Sequence, residues 1–183
     1  MIIFFDTEFT GLHKDTTLIS IGLVSETGEK FYAEFDDYDE WQVTPWIEEN
    51  VLSNLMHWDS EYNNALPEWF NYGSKEEIKV KLLNWLSQWD FIDWVSDVSH
   101  YDFVLLIDLL FGNALDISPD KYSPICHDIN TGIATYFDIE ERDAFNMSRE
   151  DILASHGCTV EGEKHNSLYD AEVIKCIFEQ LYE

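Results

Sequence analysis

The chain has 183 residues, 45% of them hydrophobic and 15% aromatic, enough to bury one sizeable core and too few for two independent domains. Its 37 acidic and 10 basic residues leave a formal charge of −27, which excludes the broad Lys/Arg surface on which proteins grip long nucleic acids through counterion release. The longest apolar runs, such as Ile2 to Phe5 and Phe103 to Ile107, fall far short of the roughly 20 residues that span a bilayer, so no membrane partner is expected. Asp6 and Glu8 interrupt the amino-terminal run where a secretory signal would continue, which points to a cytoplasmic protein. Cys126, Cys158 and Cys176 are an odd count without a C-x-x-C pair, and reduced thiols are expected rather than a disulfide framework or a zinc site.

In chain order, Ile2 to Phe5 is apolar on consecutive positions, as in a central strand buried on both faces, and its end carries Asp6. Leu18 to Val24 reads as a second strand, Thr27-Gly28 as a turn, and Phe31 to Phe35 as a third strand, completing a meander. Thr44-Pro45 has the form of an N-cap with proline at the first helical position, predicting a helix through Met56. Trp58 to Gly73 reads as irregular. Ser74 and Glu77 form a capping box, after which Ile78, Leu82, Leu86 and Trp89 trace one helical stripe. Lys75, Lys79 and Lys81, the closest cationic grouping, alternate with Glu76 and Glu77 and read as a solvated face. Phe91 to Ser96 is a fourth strand, Tyr101 to Phe111 a helix ended by Gly112, and Ile125 with its neighbours a short fifth strand. The remainder is helical: Ser148 and Asp151 cap one segment, and Ala171, Ile174, Phe178 and Leu181 give the last helix its apolar face. This order predicts a single α/β domain, residues 1–183, with a mixed five-stranded sheet flanked by helices.

An Asp-x-Glu pair means little in so acidic a chain, where it occurs at Asp6/Glu8, Asp59/Glu61, Asp138/Glu140 and Asp170/Glu172. Only the first follows an apolar strand. Residues two apart on a strand share a face, so Asp6 and Glu8 can address one metal centre. His165 stands five residues before Asp170, in a loop entering the final helix, where an imidazole could reach an attacking water while the carboxylate stays fixed. Asp102 opens the helix after the fourth strand, where taken alone it reads first as a helix cap, and a cap explains Asp128 in Cys126-His127-Asp128 at least as well as a place near the cleft. All three acid-bearing elements lie at strand ends or helix starts, where ligands bind in open α/β sheets.

The order Asp-x-Glu on the first strand, Asp at the start of a middle helix, then His-x4-Asp opening the last helix resembles the 3′-5′ exonuclease superfamily named for its four acids, in its histidine-bearing branch. More narrowly, Phe5-Asp-Thr-Glu-Phe9, Leu18-Ile-Ser-Ile-Gly22, Tyr101-Asp102 and His165-Asn-Ser-Leu resemble a smaller bacterial and phage group of exoribonucleases similar to the mycobacterial adenylate-preferring enzymes. The pattern departs from the family around the middle motif, where His100 and Tyr101 replace the usual Asn and Asp. The resemblance implies a ribonuclease-H-like fold and two Mg²⁺ or Mn²⁺ ions. It implies further that Asp6, Glu8 and Asp170 hold the nucleophile-side ion, Asp6 and Asp102 the leaving-group ion, and that His165 takes the water proton. The product would be a nucleoside 5′-monophosphate, and the substrate a single-stranded nucleic acid, RNA favoured, held at its 3′ end. Phe9, Leu12, His100 and Tyr101 are candidates to flank terminal bases, with Thr7 and Asn166 beside them. Related exonucleases are commonly homodimers, and the aromatic stretch Trp41 to Phe70 would serve as an interface, a core or a lid. The rival readings are an acidic nucleic-acid mimic that occupies another protein's basic groove, and a DNA-directed exonuclease of the same fold.

Overall fold

The opening apolar run continues through the first acidic pair as one strand, β1 (Ile2–Phe9). In the computed structural model, which describes residues 1–57 and 66–182, there follow β2 (Leu18–Ser25), β3 (Lys30–Phe35), α1 (Pro45–Asn50), β4 (Phe70–Gly73) and α2 (Lys75–Leu86). Beyond these lie β5 (Ile92–Ser96), α3 (Ser99–Leu110), β6 (Tyr122–Asp128), α4 (Ile129–Phe137), α5 (Glu141–Phe145), α6 (Arg149–Ser155) and α7 (Ser167–Tyr182). The sheet order is β4-β3-β2-β1-β5-β6. The β1–β2 and β2–β3 pairs are antiparallel, and β3–β4, β1–β5 and β5–β6 are parallel.

Alternation along β1 divides the core. Ile3 and Phe5 pack under α2 and α3 with Ile78, Leu82, Leu106 and Leu109, whereas Phe4 packs on the other face with Ile133, Ile152, Ile174 and Ile177 from α4, α6 and α7. Each of these buried side chains contributes about 1.5–3 kcal/mol on removal from water, so β1 is anchored from both faces of the sheet. The edge of Phe178 meets the Phe4 ring at 5.2 Å, docking α7 onto it.

Several local expectations hold for physical reasons: the Ser74 backbone N–H donates to the Glu77 carboxylate at 3.0 Å, and the Ser148 hydroxyl accepts the Asp151 N–H at 3.1 Å. Asp128 caps α4 by accepting the Asn130 N–H. Others need correction. The sheet has six strands rather than five, because Phe70–Gly73 adds in parallel beside β3; four residues without a hairpin turn carry too little alternation to announce a strand. The helix from Pro45 stops at Asn50, not Met56: Ser53 and Asn54 bond back through their side chains to the carbonyls of Glu49 and Asn50, and the backbone tightens into a 3₁₀ turn. Cys158 and Cys176 pair as a disulfide where the sequence reading expects separate thiols; they meet because the loop before α7 folds back onto that helix. Cys126 stays free. The Asp59/Glu61 pair lies outside the described residues, as does part of the stretch from Trp41 to Phe70. Among the described residues no helix is long and apolar enough to cross a membrane.

Candidate active site

The alternation that divides the core also aims the acids. Asp6 and Glu8 continue the Phe4 face of β1, toward α7, while Thr7 continues the Phe5 face, toward α3. β1 pairs with β5 only through Ile2–Phe4, and β5 ends at Ser96, so the chain leaves the sheet beside the acid-bearing half of β1 and turns into α3. Asp102 in the first turn of α3 is thereby set into this gap. It is 2% exposed, its Oδ1 accepts the Thr7 hydroxyl at 2.6 Å, and its Oδ2 accepts the Ser96 hydroxyl.

The third contribution comes from the start of α7. His165 has a left-handed backbone with φ of 66°, and its N–H donates to Asp170 Oδ2 at 2.9 Å, so histidine and carboxylate are held as one unit. The His165 ring turns toward β1, with Nδ1 3.7 Å from Glu8 Oε1. Glu8, His165 and Asp170 each offer a ligand atom within 4.8 Å of the others. Asp6 and Asp102 line the same cavity, about 400 Å³ in volume, without joining that triad. A larger cavity of about 670 Å³, lined in part by the 159–163 loop, contains none of these acids.

Four carboxylates so placed resist ionisation. Burial raises Asp6 well above its ordinary value, and the charges of Asp102, Asp170, Glu8 and Asp97 raise it further. Burial also raises Glu8, against the opposing contact with His165. Asp102 is pushed up to about 7 by burial despite the hydroxyls of Ser96 and Thr7, and Asp170 to about 7 by burial and the charge of Glu8. His165 is raised, first by its contact with Glu8 and then by the charges of Glu8 and Asp170, against burial. A cluster of hard oxygen donors that repel one another fits a hard divalent cation, which would relieve that repulsion.

The remaining sequence candidates divide. Phe9 and Leu12 line the cavity, Leu12 73% exposed, and Phe9 stacks on Tyr101 with ring centroids 5.5 Å apart. His100 is exposed beside Tyr101, outside the cavity wall. The Thr7 hydroxyl is committed to Asp102, and the Asn166 amide turns away from the cavity to Tyr32 and Asn54. Three neighbours escape the sequence reading. Trp46, in the first turn of α1, meets the His165 ring edge-on at 5.2 Å. Arg149 grips Asp97 through Nε at 2.8 Å and Nη2 at 2.7 Å, and gives its other N–H groups to Asn130, Ala144 and Met147. Lys164 brings a cation to the cavity wall. Position is their only signal: Trp46 follows a helix-start proline, Asp97 and Arg149 flank element junctions, and Lys164 precedes the motif histidine.

Comparison with known proteins is consistent with this arrangement. The family model of the 3′-5′ exoribonuclease Rv2179c-like domain matches residues 1–182. The chain is 31% identical over 108 residues to the 3′-5′ exoribonuclease Rv2179c of Mycobacterium tuberculosis (strain ATCC 25618 / H37Rv), a match covering 58% of this chain and 59% of that relative. In three dimensions it is similar to the nuclease domain of 3′hExo, described as a DEDDh family member bound to rAMP, with a TM-score of 0.64 at 14% identity over 98% of this chain and 90% of that one. It is also similar to S. pombe Pop2p in a form bound to Mg²⁺ and Mn²⁺, with a TM-score of 0.63 at 15% identity over 98% and 81% of the two chains. The ribonuclease-H-like fold is thus established by the structural neighbours, and the match along residues 1–182 shows that the chain belongs to the Rv2179c-like 3′-5′ exoribonuclease domain family.

Proposed function

We propose that the protein is a metal-dependent 3′-5′ exoribonuclease that shortens single-stranded RNA or short oligoribonucleotides from the 3′ end and releases nucleoside 5′-monophosphates. One observation carries the reading: Asp6, Glu8, Asp102, Asp170 and His165, supplied by elements far apart in sequence, line one cavity of about 400 Å³. Asp6, Glu8 and Asp170 would hold one Mg²⁺ or Mn²⁺ ion, and Asp6 with Asp102 a second. When bound, such ions polarise the phosphodiester and stabilise charge on the leaving 3′ oxygen.

The protein's own residues do the rest. His165 takes the proton of the attacking water, its ring turned toward the acids with Nδ1 3.7 Å from Glu8 Oε1. The Asp170 carboxylate fixes the His165 backbone, and Trp46 limits the sweep of its ring. Phe9 and Leu12 offer apolar surface to terminal bases, with Tyr101 supporting Phe9 from behind. With a net charge of −27 the surface cannot follow a long phosphate backbone, which favours a short substrate or one held only at its end. A nucleic-acid mimic would spread its acids over a surface rather than converge them with a histidine, and nothing in the geometry favours it.

Exoribonuclease is preferred over a DNA-directed enzyme on the names of the family and of the curated relative. A homodimer is the expected assembly, with Trp41, 98% exposed, as a candidate contact; a monomeric mass in scattering-detected gel filtration at micromolar concentration overturns that. Digestion of 5′-labelled RNA and DNA of matched sequence tests the activity. A metal-dependent ladder that shrinks from the 3′ end of RNA, abolished by Asp6→Ala, is the expected result, and intact RNA with folded wild-type protein overturns it.

A further inference from the structure

A polar chain, buried at its β3 end, runs from β3 to the residues on either side of His165. Tyr32 and Glu34, two apart on β3 and therefore on one face, are 0% and 1% exposed. The Glu34 carboxylate accepts the Tyr32 hydroxyl at 2.9 Å and the backbone N–H groups of Met56 and His57. The Tyr32 oxygen in turn accepts the Asn166 side-chain amide at 3.2 Å, and that amide also donates to the Asn54 carbonyl at 3.0 Å. On its other side Asn166 Oδ1 accepts the N–H groups of Leu168 and Tyr169, capping α7. Asn54 closes the set by donating its amide to the Lys164 carbonyl at 2.8 Å. Both neighbours of His165 are therefore pinned from behind.

His165 itself has a φ of 66°, a left-handed conformation that a residue with a Cβ keeps only when its surroundings impose it. The Asp170 contact explains one side of that constraint, and the chain through Asn166 and Asn54 supplies the other. We infer that Glu34, Tyr32, Asn54 and Asn166 are positioning residues that act through the Lys164 and Asn166 backbone to hold His165 over the acid cluster. The inference deepens the proposed function, because it rests on His165 acting as the base. Glu34 anchors the chain: a buried carboxylate with three donors cannot release one of them cheaply, so Tyr32 stays oriented toward Asn166.

The test uses the full chain with Mn²⁺ and a 5′-labelled single-stranded oligoribonucleotide. Tyr32→Phe removes one hydroxyl and keeps the ring. Asn166→Ser keeps an oxygen to cap α7 but is too short to reach Tyr32 or Asn54. Each is expected to lower kcat about tenfold with KM held within about twofold, since small misplacement of a catalytic group costs turnover rather than binding. The double variant is expected to fall no lower than the poorer single one, because both cut the same chain. The His165 imidazole resonance, identified by its loss in His165→Gln, should shift or broaden in Tyr32→Phe while those of the other histidines hold. If Asn166→Ser does not fold, Asn54→Ala takes its place, since it keeps the carbonyl that Asn166 uses. Wild-type kcat in Tyr32→Phe, an unmoved His165 resonance, or kcat losses that multiply in the double variant would overturn the inference and leave the exonuclease reading intact. A folded wild type that cleaves no RNA with metal overturns the proposed function, and this inference with it.

Discussion

Gly22 and Leu168 touch through their backbones: a Cβ at residue 22 would stand 2.3 Å from the Leu168 nitrogen and equally close to the Ser167 carbonyl. Gly22 is also the register partner of Asp6 across β1 and β2. The first turn of α7 thus rests on the sheet directly beside Asp6, and this close approach brings Asp170 and His165 down to Asp6 and Glu8.

Gly22→Ala should therefore lift the start of α7. Overpacking against backbone costs about 1–3 kcal/mol, or several degrees in Tm for a chain of this size, and activity should fall more than stability because the acids part. Thermal melting and the digestion assay together check this; a variant with normal turnover would show that the contact is dispensable.

The Thr7 hydroxyl and Ser96 hydroxyl hold the two oxygens of buried Asp102. Thr7→Val preserves shape but removes a donor to a charged group, a loss of about 1.5–3 kcal/mol. Mn²⁺ affinity, read from a titration of Tm, should weaken about 10–100-fold, as for other groups that orient metal ligands. An unchanged titration would remove Thr7 from the support of the site.

The raised carboxyls make a prediction about pH. Asp102 and Asp170 titrate near about 7 in the folded protein against an ordinary 3.8. A group whose folded pKa lies above its unfolded one stabilises the fold while protonated, and that contribution is lost as pH rises through the folded value. Metal-free protein should therefore lose Tm between pH 5 and pH 8. Added Mn²⁺ should restore more at pH 8 than at pH 5, since metal and protons compete for the same oxygens. With Mn²⁺ at about 100 times its Kd the gain is about 2.7 kcal/mol. A metal response that is flat with pH would contradict the assignment.

His165→Gln should lower kcat by about 10²–10⁴-fold, the range for loss of a general base, while Mn²⁺ still raises Tm through the acids. In metal-free wild type, an NMR titration should place the His165 midpoint above its ordinary 6.5, and Glu8→Gln should bring it down, because the Glu8 contact is the leading cause of the shift. A midpoint at or below 6.5 would contradict the observed contact.

Arg149 commits every N–H to Asp97, Asn130, Ala144 and Met147, clamping the end of β5 to α4, α5 and α6. Its partner Asp97 is largely buried, so Arg149→Met leaves a stranded charge and should cost about 3–5 kcal/mol. Adding Asp97→Asn should recover part of that loss, as coupled neighbours do. Denaturant melts of the two single variants and the double variant measure the coupling, and simple additivity would refute it.

Much of this was legible before any coordinates. The apolar run before Asp6 and the capping box at Ser74 and Glu77 are local signals, readable because strand alternation and helix caps act over a few residues, whereas the order from Asp6 to Asp170 is legible only as a resemblance to a family. The short strand Phe70–Gly73 was not, since its identity comes from lying beside β3. Nor were the roles of Thr7 and Asn166: both stand in the motifs, yet their side chains serve Asp102 and the start of α7.

The sequence by itself placed Asp6 and Glu8 at the end of the first strand, Asp102 at the start of a middle helix and His165 just before the last one, because those placements rest on local periodicity and caps; it linked them to one another only through the motif order that resembles the exonuclease superfamily. Tertiary structure alone decided that Ser96 and Thr7 share Asp102, that Arg149 finds Asp97, that Cys158 meets Cys176, and that Tyr32 and Glu34 stand behind His165. The physical reason is that these contacts join side chains from separate elements, and their partners follow from how helices pack on a twisted sheet rather than from spacing along the chain.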